Sequence, residues 1–365
     1  MKKNVIIFMP SIEDGGVEKN LYEVSNYLVK NNINLEIITC NKNMSFKFSK
    51  DIKFIGTKNS YWNNRSRYIK YIICLLILFL TLIKRKEKTL VFAFQANIYA
   101  VILAKILNVK IITRSNSAPP GWSQNAIKNF IYKFFIKFAN DVMVNSFEFK
   151  KIFEKKFNIK VKCIYNPFNK NFVLKKIKIK KKITFFKKGY LNIISVGRLT
   201  DQKDHLTLLR SIKELDSNFK VKVIIIGKGS TKDILKRYII KNNLQNKIKL
   251  FGYTNNPFPF IQKANMVVLT SKFEGLPNIL LEAQFLRKYI ISTNCPTGPK
   301  EILLNSKAGD LINIGDFKKL SHLIKNYFNN KNSIIKKINT GYKKFYRFDY
   351  MLNCKKYLNF IKNNY

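Results

Sequence analysis

Two largely apolar runs fix the fold class of this chain. Residues 4–9 (NVIIFM) and 191–197 (LNIISVG) lack the alternation of a half-solvated strand, so both faces of each need covering, as in a parallel sheet flanked by helices. After the first run, Val17, Leu21, Val24 and Leu28 mark one face of a helix, and residues 205–215 read as the helix after the second. Residues 35–39, 109–113, 141–145, 221–227, 247–251, 264–271 and 289–293 read as further strands. An α/β protein with two Rossmann-like domains follows, and 365 residues suffice for both. Between them, residues 171–189 carry Lys175, Lys176, Lys178, Lys180, Lys181, Lys182, Lys187 and Lys188 without an acid, which reads as a solvated linker. The expected domains are therefore 1–170 and 190–342.

The formal net charge of +47 calls for an anionic partner: nucleic acid, acidic lipid or an anionic substrate. The excess is mostly lysine, accompanied by abundant Asn, Ile, Phe and Tyr, and it covers both halves, so it is a background and not a patch. A hydrophobic content of 46% excludes a disordered chain. Five widely spaced cysteines without a C-x-x-C indicate neither a disulfide framework nor a zinc site, and read as reduced thiols of a cytoplasmic protein. The N-terminal apolar run is too short for a signal peptide and is better used as the first strand.

The most apolar run, residues 71–83 (YIICLLILFLTLI), falls short of the ~20 residues that span a bilayer. Arg65, Arg67 and Lys70 precede it, and Lys84, Arg85, Lys86 and Lys88 follow. Residues 130–139 (FIYKFFIKFA) interleave aromatics with Lys133 and Lys137. Each reads as a core helix, the preferred reading of the first, or as a segment lying on an anionic membrane. Peripheral attachment to the cytoplasmic leaflet through this half is the expectation.

Chemistry concentrates in residues 271–301. Glu274 follows the strand 264–271, Pro277 fits the first position of a helix, and Glu282 lies about one turn inside it. The turn Glu274-Gly275-Leu276-Pro277 thus leads to exposed backbone N–H groups at Asn278 and Ile279, a helix start suited to a phosphate. Two carboxylates beside an anion site repel the phosphate but can hold the hydroxyls of a sugar attached to it, so the implied ligand is a sugar nucleotide. The plain alternative, a surface Glu followed by a helix-favouring Glu, is answered by the residues between them.

The stretch EGLPNILLEA resembles the signature of family 4 glycosyltransferases, retaining enzymes of the GT-B fold, in which two Rossmann-like domains face a cleft. SVGRLTDQKD resembles another element of that family. By this resemblance Arg198 and Lys203 clamp the donor diphosphate and stabilise charge on the leaving nucleotide, Glu274 holds the donor sugar, and Glu282 holds the ribose. Gly252 and Tyr253 match the place where the base meets the backbone, and Gly15 and Gly16 resemble glycines facing the pyrophosphate. Many members carry a His near residue 114. This chain has only His205 and His322, leaving Arg114 and Asn116 as candidate acceptor contacts. Residues 161–167 resemble the end of the first domain, and the last helix, about 343–365, is expected to cross back onto it.

The resemblance implies retaining transfer of a hexose or N-acetylhexosamine from a nucleoside diphosphate sugar, UDP-linked by preference, to a glycan or lipid-linked acceptor of surface polysaccharide assembly. No cofactor is expected, and with no D-x-D motif no metal either. Two rivals stay open: a sugar-nucleotide epimerase of the same fold, and a basic protein that binds nucleic acid or a membrane surface. Glu274 and Glu282 argue against a nucleic-acid partner.

Overall fold

A computed structural model describes residues 3–12, 15–40, 42–57, 61–62, 65–116, 125–179 and 181–365. Lys180, part of the lysine-rich run read above, lies outside them. The chain divides into two compact units, Met1–Pro167 with Tyr350–Tyr365, and Phe168–Asp349.

The first unit is built on β1 (Lys3–Phe8), β2 (Ile33–Ile38), β3 (Lys53–Ile55), β4 (Thr89–Ala93), β5 (Lys110–Arg114), β6 (Asp141–Val144) and β7 (Lys162–Cys163). All pair in parallel, in the order β3-β2-β1-β4-β5-β6-β7, with Ile7 of β1 flanked by Ile37 and Phe92. Every residue of β4 is buried, as a strand in mid-sheet requires. One face is covered by the helices Gly16–Lys30 and Tyr350–Asn364, whose Leu21, Val24, Tyr357 and Ile361 pack on Val5, Leu35 and Phe92. The other is covered in part by the helix Arg67–Ile83, through Cys74, Leu78 and Leu82.

The second unit contains β8 (Leu191–Val196), β9 (Val221–Ile226), β10 (Ile248–Gly252), β11 (Met266–Leu269), β12 (Tyr289–Thr293) and β13 (Asp310–Ile312), again all parallel, in the order β10-β9-β8-β11-β12-β13. Ile194 of β8 pairs with Ile224 on one side and Val267 on the other. The strand sequence runs outward from β8 to β10 and then reverses past β8 to β11, making a topological switch point between β8 and β11. Open α/β sheets bind ligands at the carboxyl ends of the strands at such a point.

Two expectations are corrected. The lysine-rich stretch is not linker throughout, because Lys170–Ile177 forms a helix capped by Asn169 and packed within the second unit. Pro277 is the N-cap, with extended ψ of 112°, and the helix runs Asn278–Phe285. One residue separates the two placements, because proline's fixed φ suits both positions.

Candidate active site

The loops after β8 and β11 are stitched together at the switch point. Gln202 donates from its side-chain amide to the Phe273 carbonyl (2.9 Å) and accepts at its own carbonyl from the Lys272 N–H (2.8 Å). Thr270 Oγ1 donates to the Lys203 carbonyl at 3.1 Å. These contacts hold the short 3-10 turn Asp201–Lys203 against the loop that carries Glu274.

Across this junction Lys203 Nζ lies 2.5 Å from Glu274 Oε1, and Ser271 Oγ donates to the same oxygen at 2.6 Å. The Glu274 carboxylate is 8% exposed and the Lys203 side chain 14%. Each charge is thus largely withdrawn from water and compensated by the other. Thr297 Oγ1 holds the Glu274 carbonyl at 2.7 Å, and the Glu274 N–H reaches the Pro296 carbonyl. The buried Cys295 thiol is pushed up to about 12, first by burial and then by the negative charge of Glu274.

Glycine is demanded where backbones touch. At Gly298, φ is +87° and a Cβ would sit 2.1 Å from the Gly275 carbonyl, so only glycine lets the loop after β12 support the Gly275-Leu276-Pro277 turn. At Gly227, a Cβ would lie 1.9 Å from the Gly197 carbonyl. Residues 227–230, a glycine turn after β9, are therefore pressed onto the loop that carries Arg198, with Leu199 N–H donating to the Lys228 carbonyl at 2.9 Å.

Arg198 is exposed, its guanidinium 3.4 Å from Gln202 Oε1. Asn278 and Ile279 open the helix Asn278–Phe285, and Glu282 is buried within it. Gly252 ends β10 with φ +87° and open space where a Cβ would be, while its carbonyl accepts from the Gly227 N–H at 2.9 Å. Next to it Tyr253 is exposed, with Lys228 over its ring at 5.1 Å. Arg198, Lys203, Glu274, Gly275 and Leu276 thus share the β8/β11 edge, with Gly252 and Tyr253 joined to it through the glycine turn. Ser271, Gln202 and Thr297 were not singled out in the sequence. Their hydroxyls and amide act through contacts that no spacing rule announces.

The remaining candidates belong to the first unit. Gly15 caps the helix Gly16–Lys30 after β1, and both glycines are exposed. Arg114 ends β5 fully buried, donating to Asn116 Oδ1 and to Asn166 Oδ1 (2.8 Å), with its guanidinium 5.2 Å from the Phe94 ring. A buried guanidinium offers no surface to an acceptor. Arg114 therefore organises the β5 edge, and the partly exposed Asn116, held by the Phe94 carbonyl at 2.9 Å, is the member that faces outward.

Two parallel-sheet Rossmann-like domains, with GT-B glycosyltransferases as structural neighbours, give the chain the GT-B fold. Residues 176–344 match the family model described as glycosyl transferases group 1. An uncharacterized glycosyltransferase, MJ1059, of Methanocaldococcus jannaschii is 39% identical over 178 residues, 47% of this chain and 44% of that protein. The matched segment thus spans less than half of that relative. The GalNAc-alpha-(1->4)-GalNAc-alpha-(1->3)-diNAcBac-PP-undecaprenol alpha-1,4-N-acetyl-D-galactosaminyltransferase of Campylobacter jejuni is 25% identical over 91% of this chain and 90% of its own. Among solved structures, Anabaena Alr3699/HepE in complex with UDP superposes with a TM-score of 0.79 at 16% identity, covering 99% of this chain and 100% of that one.

Proposed function

We infer that the protein is a retaining glycosyltransferase of family 4. It moves a hexose or N-acetylhexosamine from a UDP-sugar to a glycan or lipid-linked acceptor in bacterial surface polysaccharide assembly, working peripherally at the inner face of the membrane. The observation that carries this reading is the Lys203–Glu274 contact at the switch point of the second sheet. An ammonium has three donors, so Lys203 keeps two for the donor diphosphate while one holds Glu274. Arg198, exposed at the neighbouring loop, supplies the second cation. Glu274, pinned at Oε1 by Lys203 and Ser271, presents Oε2 to the sugar hydroxyls, and Glu282 and the helix start at Asn278 serve the ribose and phosphate.

In the reaction the bond from the anomeric carbon to the phosphate oxygen breaks as the acceptor oxygen bonds to the same face. The acceptor's proton passes to the departing phosphate. Arg198 and Lys203 stabilise the charge growing on that phosphate, so this chain needs no separate base and no metal for the step. UDP is favoured by the HepE complex, and a lipid-linked acceptor by the name of the Campylobacter relative.

The test is a thermal-shift panel of nucleoside diphosphate sugars, followed by transfer to a lipid-linked acceptor with the product anomer assigned by NMR. UDP-sugar stabilisation and a product of the donor's anomeric configuration are expected. Inversion, turnover without an acceptor as in an epimerase, or no shift with any sugar nucleotide would overturn the reading.

A further inference from the structure

The two apolar stretches read separately from the sequence belong to one surface of the first unit. The helix Arg67–Ile83 buries Cys74, Leu78 and Leu82, while Ile72 and Leu76 on its other side are 59% and 58% exposed. The helix Ala126–Phe135 buries none of its residues, and Phe130 is 71% exposed. Between them lies the helix Asn97–Ile106, which packs against both. Tyr71 and Tyr99 bring their ring centroids to 6.2 Å on one side, and Lys105 stands 5.5 Å over the Phe138 ring on the other. Ile106, 72% exposed at the end of the middle helix, extends the apolar face between the outer two.

The charge around this face is of one sign. From residue 52 to residue 140 the sequence holds fifteen Lys and Arg and a single carboxylate, Glu87. Arg67, Lys84, Lys86, Lys105, Lys133 and Lys137 are exposed on or beside the three helices. Apolar side chains ringed by lysine match a bilayer whose headgroups are negative, with aromatic and aliphatic groups entering the headgroup and acyl boundary. Among the described residues no helix is long and apolar enough to cross a membrane.

We propose that the helices Arg67–Ile83, Asn97–Ile106 and Ala126–Phe135 form a docking surface for an anionic lipid bilayer. The proposal names the surface for the membrane placement given above and does not depend on the transfer chemistry. It is tested with the full chain by co-sedimentation with phosphatidylcholine vesicles, with and without phosphatidylglycerol. Because the whole chain is basic, Lys133→Glu/Lys137→Glu is compared with Lys232→Glu/Lys236→Glu, an equal reversal on an exposed helix of the second unit.

The expected result is binding to phosphatidylglycerol vesicles only, lost about tenfold by the 133/137 reversal but not by the 232/236 reversal. Phe130→Ser/Phe134→Ser also weakens binding while UDP-sugar stabilisation stays intact. Three results overturn the proposal: no binding to anionic vesicles, equal loss in both lysine pairs, or a concentration-dependent dimer that Phe130→Ser/Phe134→Ser abolishes, since a second copy would then cover the face. UDP-sugar melting shifts, read on the same samples, report failure of the transferase reading separately.

Discussion

Lys203 and Ser271 converge on a single oxygen of Glu274, the lysine at 2.5 Å and the hydroxyl at 2.6 Å. Removing either partner therefore does different things. Lys203→Ala strands a carboxylate in a site that is 8% exposed, and loss of one member of such a pair costs about 3 kcal/mol. The melting temperature should drop along with transfer. Glu274→Gln, which keeps the shape and one acceptor, should lose transfer by at least about a hundredfold with a smaller change in melting. Normal turnover in both would dissolve the assignment.

Ser271→Ala removes only the neutral partner. With Lys203 still in place, Glu274 keeps its charged partner but rotates more freely. We expect kcat to fall about tenfold, a loss of about 1.4 kcal/mol of transition-state stabilisation, with donor KM nearly unchanged. A rise in KM at constant kcat would mean that Ser271 serves binding alone.

Gly298→Ala and Gly252→Ala separate backbone conformation from crowding. Both glycines have φ +87°, but the added methyl meets the Gly275 carbonyl at 2.1 Å in one case and open space in the other. Gly252→Ala should cost about 1 kcal/mol in denaturant unfolding. Gly298→Ala should cost more than twice that and also depress transfer, because it displaces the turn beside Glu274. Equal costs would show that the loop after β12 does not brace the site.

His205 gives the second unit a pH dependence. Burial, then the nearby positive charge of Lys203, holds its imidazole down to about 4, against an ordinary value of 6.5. Below pH 6.5 the unfolded chain takes up a proton that the native state refuses, so stability is complete above that pH and declines as pH falls toward 4. The loss amounts to about 3 kcal/mol at the lower end. His205→Gln should flatten this part of the stability profile measured by urea unfolding. An unchanged slope would place the titration elsewhere.

The fold is legible because buried parallel strands read as largely apolar runs, as in β8, β9, β11 and β12 of the second sheet, where polar residues such as Asn192 and Lys222 are the exceptions. The missed strands have physical excuses: β3, β7 and β13 are two or three residues long, and β4 follows directly on a run of basic residues that hides its start. At the site, Lys203 and Glu274 are both legible but their contact is not, since 71 residues separate them and the pairing of β8 with β11, with the hydrogen bonds of Gln202 and Thr270, brings their loops together. Arg114 reads as an acceptor contact because it stands near the place where many members of the resembled family carry a histidine. Its burial is set by Asn116, Asn166 and Phe94, which no local pattern connects.

The helix Tyr350–Asn364 closes the core of the unit that begins the chain, laying Tyr357 and Ile361 over β1, β2 and β4. During synthesis, the helix that completes this unit is made only after the whole of the unit Phe168–Asp349. The part of the sheet face under Tyr357 and Ile361 therefore stays uncovered until translation has passed through the entire intervening domain.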